Sequence, residues 1–491
     1  MRFKFILSMT FICSLYSCDS SFLEVPSKTS LTASIYFKTK DDFQQAINGA
    51  YGPLLGLYGG TSGAWAMGEM RSDNTTYKYN SNDRGTIAPE FIKDFLDDAT
   101  NPVSSNKYNQ NYIMIARVNQ ILDLIDGVEF DATIKSNIKG QALFLRALAY
   151  FDLVQYFGSV PLHITTAKTL EQTALPLSTI DVIYNQIIDD ATAAAELLPD
   201  KATQDPGRAT SGAANTLLGN VYIIQKKWAE AEFTLKKVTG YSLLPNYADV
   251  FEPAQKNNAE SIFEVQYKQG TEGFASSFFY TFLVQPISAN EVSAVTGITE
   301  VARTTEGYNI PTPDLINVYE GNDSRKDASI GYIIAGGVSY PYIKKYSHTH
   351  MLSGNTDDNW PVYRYSEVLL FLAEALNEQS KSTEALTFLN QVRDRAFGAG
   401  VSLISETDKV ALRDLILKER RVELAFENKR WLDLVRAEIA ESVMTAYGNN
   451  VKANPQDYYF PAGISVSSSS YTNIRLNFPI PASQVALSPY F

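Results

Sequence analysis

The densest set of groups able to do acid–base chemistry is Glu419, Glu423 and Glu427, within ERRVELAFENKRWLDLVR (residues 419–436). Their i, i+4, i+8 spacing predicts three carboxylates on one helix face. Paired carboxyl groups are what glycoside hydrolysis requires, but the two must flank a substrate from opposite walls. Here they alternate with Arg420, Arg421, Arg430 and Arg436, a pattern suited to ion pairs within and between helices. The spacing therefore favours a structural role.

Other reactive constellations are weaker. His348-Thr349-His350 offers two imidazoles to a metal, yet no neighbouring Asp, Glu or Cys pattern completes a shell, so a solvated loop pair is expected. No G-x-S-x-G turn occurs. The glycine-rich run from Tyr58 to Gly63 lacks the lysine of a phosphate loop. No cofactor is expected, and a structural calcium ion is not indicated.

Cysteine carries the clearest chemistry. Both thiols, Cys13 and Cys18, fall in the first eighteen residues. Arg2 and Lys4 precede an apolar run from Phe5 to Tyr16, too short for a bilayer core that needs about 20 residues, which is the layout of a secretory signal peptide. The sequence Leu15-Tyr16-Ser17-Cys18 resembles a bacterial lipobox. Residues 1–17 are thus expected to be removed and Cys18 to carry diacylglycerol and a further acyl chain, a membrane anchor. The mature chain would then hold no thiol for a disulfide, a nucleophile or a zinc site.

Removing residues 1–17 leaves 474 residues with 40 basic and 54 acidic side chains. That acidic balance argues against nucleic acid, whose phosphates demand a basic face. It fits a binder of neutral ligands. Aromatic side chains are the remaining signal: Trp228 and Trp431 fall in helical patterns and read as scaffold, whereas Trp65 and Trp360 adjoin Gly/Ser/Asn/Asp-rich segments. An exposed ring beside amides and carboxylates suits a sugar, whose C–H face packs on the π face. GEMRSDNTTYKYNSNDR (residues 68–84) gathers Asp73, Asn74, Tyr77, Tyr79, Asn82 and Arg84 in what reads as a polar surface loop. The expected ligand contacts are Trp65, Asp73, Asn74, Tyr77, Tyr79, Arg84 and Trp360.

The elements that must position these residues are mainly helical. DDFQQAINGAYGPLLGLY, from Asp41, places Phe43, Ala46, Ile47 and Ala50 on one face. NYIMIARVNQILDLID (111–126) and IKGQALFLRALAYFDLVQYFG (138–158, extending from Ile134) repeat the period, the latter stopped by Gly158 and Pro161. One internal repeat is measurable. From Gly219, offsets of 12, 16 and 19 reach Ala231, Leu235 and Val238; from Ala373 they reach Ala385, Leu389 and Val392. This is the spacing of tetratricopeptide-type hairpins, and Ile134–Pro199 reads as a third unit with a long insertion. Residues 241–360 are rich in turns and aromatics, with a short strand at SIFEVQY (261–267), and long insertions are where binding residues sit. The reading is a mainly α scaffold of tetratricopeptide-like repeats with irregular insertions and a few short strands: tether 18–40, one domain 41–491, scaffold at 41–240 and 361–440, ligand-facing insertion 241–360, and irregular tail 441–491.

In order along the chain, AINGAYGPL, GQALFLRALAYFDLVQYFGSVPL, GRATSGAANTLLGNVYIIQKKWAEAE, AESIFEVQY, VYRYSEVLLFLAEALNE, FLNQVRDRA, ERRVELAFENKRWLDLVR and FPIPASQV closely resemble the SusD/RagB family of outer-membrane lipoproteins of Bacteroidota. The resemblance implies a SusD-like helical fold and no catalysis. It implies a surface-exposed, outer-membrane lipoprotein that captures a glycan or other nutrient for a SusC-like, TonB-dependent transporter. A strongly acidic stretch just after the lipidated cysteine, present in some members, is reduced here to Asp19. Two other readings stand beside it: a surface-anchored glycoside hydrolase, and a peptide-capturing or assembly lipoprotein of the same fold.

Overall fold

A computed structural model describes residues 36–60, 63–82, 87–302 and 304–491. The signal peptide, Cys18, most of the tether and Arg84 lie outside the described residues.

Helix α1 (Lys40–Tyr58) begins in a capping box, with the Thr39 hydroxyl and the Asp42 carboxylate each accepting from the other's backbone N–H. It buries Phe43, Ile47, Ala50, Leu54 and Leu57. It packs on α2 (Pro102–Leu124), which packs on α3 (Ala132–Phe157). Helix α3 is buried almost all round from Gly140 onward, as a helix at the centre of a helical layer must be. Its one deep charge, Arg146, makes a bidentate pair with Asp190, Nε and Nη2 each donating at 2.7 Å. Asp190 lies on α4 (Ile180–Leu197), the antiparallel partner of α3.

The two measured repeats are helical hairpins: α5 (Ser211–Ile224) with α6 (Trp228–Leu235), and α7 (Tyr365–Glu378) with α8 (Ser382–Phe397). Ala231, Leu235 and Val238 in the first, and Ala373, Ala385, Leu389 and Val392 in the second, are all buried. A Cβ on Gly219 would lie 2.5 Å from Leu235 Cδ2, so the glycine sets how closely α5 and α6 approach. Helices α9 (Lys409–Glu423), α10 (Arg430–Arg436) and α11 (Ala440–Ala453) complete the scaffold. Helix α11 is a correction: an irregular tail was expected from 441. Its apolar residues Met444, Tyr447 and Val451 are spaced as a helix requires, and the core buries them.

The insertion leaves and returns through one antiparallel ladder, β1 (Ser261–Val265) against β4 (Trp360–Arg364). Between them lies a separate small core of Phe279, Tyr280, Leu283, Val284 and Val292, under the hairpin β2 (Ile330–Ala335) and β3 (Val338–Ile343). The hairpin turns at Gly336-Gly337, both at positive φ (59° and 81°), the conformation of a two-residue turn that follows strand twist. No helix among the described residues is long and apolar enough to cross a membrane.

Candidate functional site: an aromatic rim on three segments

The carboxylates come first, because their fate decides what chemistry is left. Helix α9 ends at Glu423, so Glu427 lies beyond it, in a turn that holds Phe426 and Asn428 at φ 68° and 66°. The single-face arrangement expected from spacing stops there. Even so, the three side chains converge in a buried ion network. Glu419 binds Arg325 at 2.6 Å and Arg393 at 2.7 Å; Glu423 binds Arg325, Arg364 and Arg395 at 2.5–3.0 Å; Glu427 binds Lys345 and Arg364 at 2.8 Å. Burial would raise Glu423, but Arg395, Arg364 and Arg325 outweigh it and hold the carboxyl far below its ordinary range. With side chains at most 3% exposed, these groups are engaged as structural anchors.

The histidines also depart from expectation. They are not a solvated pair: His350 is buried, with Nε2 at 2.7 Å from the Tyr280 hydroxyl and Nδ1 at 2.8 Å from the His348 carbonyl, and His348 Nδ1 lies 2.5 Å from Asp358 Oδ1. The small core of the insertion covers His350 through Tyr280, while His348 stays half-buried at its edge, between Asp358 and Glu252. Among the described residues there is no group of three His, Cys, Asp or Glu placed to hold a metal.

Five of the expected ligand contacts prove to be internal supports. Trp65 is fully buried, its indole N–H donating to the Gly60 carbonyl at 2.9 Å and its ring edge-on to Phe282. Trp360 is fully buried too, stacked on Tyr346 at 5.4 Å and met edge-on by Phe278. Position 360 lies on β4, at the neck of the insertion, and not on a free loop. Residues 66–77 run through the interior and form no surface loop. Asp73 is clamped by Arg430 at 2.8 Å and Arg421 at 2.9 Å. Burial would raise its pKa, yet the two guanidinium groups hold it down to about 2. Asn74 donates to Glu69 and accepts from Arg421, each at 2.8 Å. The Tyr77 hydroxyl donates to Asp94 at 2.9 Å. Glu69 accepts the backbone N–H groups of Phe426 and Asn428 at 3.0 Å, so this segment also fixes the turn carrying Glu427.

The segment reaches the surface at Lys78 and Tyr79. Thr75 and Thr76 pair with Pro311 and Ile310 of the insertion, and the Lys78 N–H donates to the Gly307 carbonyl at 2.8 Å. The Lys78 ammonium donates to the Gln285 carbonyl at 2.9 Å and sits 5.3 Å from the centre of the Tyr340 ring on β3. Tyr340 meets Tyr459 edge-on at 6.0 Å, and the Tyr459 hydroxyl donates to the Pro311 carbonyl at 2.6 Å. Tyr459 is held at φ 70°, ψ 23°, a conformation an aromatic residue adopts only when its surroundings dictate it. The half-buried ring of Tyr79 leans on Phe460 at 5.6 Å. On β2 the Tyr332 ring is 57% exposed, and its neighbourhood of Tyr459 contributes to the upward shift of the Tyr459 phenol, after burial. Three stretches distant in sequence thus bring Lys78, Tyr79, Tyr340 and Tyr459 to one rim, while Tyr332, which pairs with Pro341 where Tyr340 pairs with Ile333, lies on the opposite face of the hairpin. Of these only Tyr79 was expected. Strand β2 alternates, with Tyr332 and Ile334 facing out and Ile333 and Ala335 facing in, and it is the inward face that Tyr340 shares.

Comparison with known proteins agrees with this architecture. The SusD family model matches residues 326–490, and a model described as starch-binding associating with outer membrane matches residues 21–223. The SusD-like protein P2 of Formosa agariphila is 30% identical over 483 residues, spanning 88% of this chain and 91% of that protein. A SusD-like protein of Bacteroides ovatus is 25% identical over 481 residues, spanning 89% of this chain and 82% of that one. Among solved structures, a laminarin-binding SusD-like protein superposes with a TM-score of 0.75 at 24% identity, over 93% of this chain and 99% of its own. Surface glycan-binding protein A of Bacteroides thetaiotaomicron, in complex with laminarihexaose, gives 0.73 at 21%, over 91% and 97%. The fold is the mainly α SusD-like one, and the near-complete match to the Formosa relative shows that the chain belongs to the SusD/RagB family.

Proposed function

We propose that this protein is a non-catalytic carbohydrate-binding lipoprotein of the outer membrane. Acylated Cys18 tethers it at the cell surface, and it captures a neutral glycan for a SusC-like, TonB-dependent transporter. The observation that carries the reading is the convergence of Tyr79, Tyr340 and Tyr459, with Lys78, on one rim. Rings held rigidly by the core lose little entropy on binding, present flat apolar faces to sugar C–H groups, and leave hydroxyls at their margins for hydrogen bonds. Trp65, Asp73, Asn74, Tyr77 and Trp360 serve the site by positioning that rim.

The relatives support the ligand class: laminarin and laminarihexaose for two solved neighbours, starch for one family model. The hydrolase reading loses its three named carboxylates to the buried ion network.

The test is affinity electrophoresis and calorimetry against a panel of laminarin, starch, xylan and mannan. Binding without release of reducing ends is expected, and Tyr79→Ala or Tyr340→Ala should weaken it about fivefold, since an aromatic contact contributes about 1 kcal/mol. Unaltered affinity in the double variant would refute the rim. Capture of peptides with no glycan bound would favour the assembly reading.

A further inference from the structure

A second concave site lies on the helical scaffold and shares no residue with the rim. It is a trough of about 690 Å³ between the 241–245 connection that follows α6 and the facing ends of α7 and α8, within the size range of small-ligand sites. One wall is aromatic: Tyr241 and Tyr365 stand nearly parallel, 19° between planes and 6.4 Å between centres. The Lys201 ammonium covers Tyr241 at 4.7 Å, and the half-buried Tyr365 borders the trough. Leu244 continues the apolar wall.

The opposite wall is polar and its hydrogen-bonding capacity is only partly used. Asp394 accepts the Gly400 N–H through one oxygen at 2.8 Å, and Gln391 donates to the Thr387 carbonyl at 3.2 Å, leaving its own carbonyl oxygen. Among the described residues no hydrogen bond reaches the hydroxyl of Ser242 or of Tyr365, or the second Asp394 oxygen. Arg395 also lines the trough, with its side chain 97% buried; Glu260 and Glu423 hold its two terminal nitrogens, while its Nε–H has no partner.

We infer that this trough is a second carbohydrate subsite, taking one or two units of a neutral saccharide. A ring, a carboxylate, an amide and a hydroxyl, of Tyr365, Asp394, Gln391 and Ser242, line it together, which matches a pyranose with an apolar face and a girdle of hydroxyls. Of the residues lining the trough the one cation is Arg395, whose terminal nitrogens are already neutralised, and Asp394 stands beside it, which favours a neutral sugar over an acidic one. This rests on the glycan-binding reading above and deepens it: two sites on one chain let a polysaccharide engage twice, the second contact gaining from effective concentration.

Gln391→Trp and Ser242→Trp each fill the trough from an exposed position, one from either wall. On the polysaccharide of the panel that the wild type binds best, each should weaken polymer affinity three- to tenfold. Affinity for the corresponding hexasaccharide at the rim should stay within twofold, and the thermal midpoint should stay unchanged. Crystals soaked with that hexasaccharide should show sugar against Tyr365 in the wild type and none there in Gln391→Trp. Unchanged polymer affinity in both trough variants, or binding at crystal concentration only, overturns the second subsite while the rim stands. A wild type that binds no member of the panel overturns the rim and the trough together.

Discussion

Asp73 illustrates how a residue chosen for ligand chemistry can instead hold the ligand-bearing segment in place. Its carboxylate sits between Arg430 and Arg421 and titrates in the folded protein at about 2, against about 3.9 for a free side chain. A folded-state pKa below the unfolded one means the stabilisation is complete above the unfolded value. It is lost as pH falls through the folded one. The difference amounts to about 2.6 kcal/mol. Asp73→Asn should therefore be less stable than wild type at pH 7, and the gap between their denaturant midpoints should narrow between pH 4 and pH 2. A gap independent of pH would show that the two guanidinium contacts do not favour the charged carboxylate. Residue type and spacing could not distinguish this role from ligand contact, because sugar sites and buried charge clamps draw on the same Asp, Asn and Tyr. What separates them is whether an arginine arrives from elsewhere, and Arg421 and Arg430 arrive from some 350 residues down the chain.

At the scale of elements, the helices were legible because each carries its own signal: an apolar stripe, a cap, a stop. The repeat offsets also marked true seams, since a small residue must sit wherever two helices cross closely. Gly219 is the sharpest case. Alanine is ordinarily the better helix former by about 1 kcal/mol, so Gly219→Ala on an isolated helix would stabilise. Here the added methyl meets Leu235 Cδ2 at 2.5 Å, and overpacking of that kind costs about 1–3 kcal/mol. Chemical denaturation should show Gly219→Ala to be destabilised, and Gly219→Ala/Leu235→Ala should lose less than the sum of the two single changes, because the small residue makes room for the methyl. Strict additivity would mean that α5 and α6 do not meet at this point. The rim was less legible. Tyr340 and Tyr459 gain their place from a β-hairpin and a positive-φ residue separated by more than a hundred positions, and no local pattern couples them. The trough on α7 and α8 was missed for a similar reason: its polar wall is assembled from helix-surface residues that look like ordinary solvated positions.

For the whole molecule the question is what makes the insertion and the helical scaffold one body. The insertion brings its own small core, a condition under which a lobe can open by itself. Two features oppose that. The β1–β4 ladder closes its neck, and a charge network crosses from it into the scaffold. Arg325 and Lys345 belong to the insertion, Glu419 and Glu423 to α9, and Arg393 and Arg395 to α8. Arg364, at the end of β4, contacts Glu260, Glu423 and Glu427 at 2.5–2.8 Å. Each ion lost its hydration on burial, so the network's net contribution to stability is small. Removing one member is a different matter, since it strands uncompensated charge and typically costs about 3–5 kcal/mol. Arg364 is the member with most to strand: three buried carboxylates would compete for Lys345, Arg325 and Arg395. Calorimetry of Arg364→Met should therefore show a large fall in the unfolding midpoint. Hydrogen exchange should rise first in residues 266–359, ahead of α3 and α7, because the neck is where the tie is cut. Uniform acceleration of exchange would mean that the insertion and the scaffold unfold as one unit without this arginine. A midpoint that barely moved would mean the buried carboxylates take up protons and hold the junction as neutral acids.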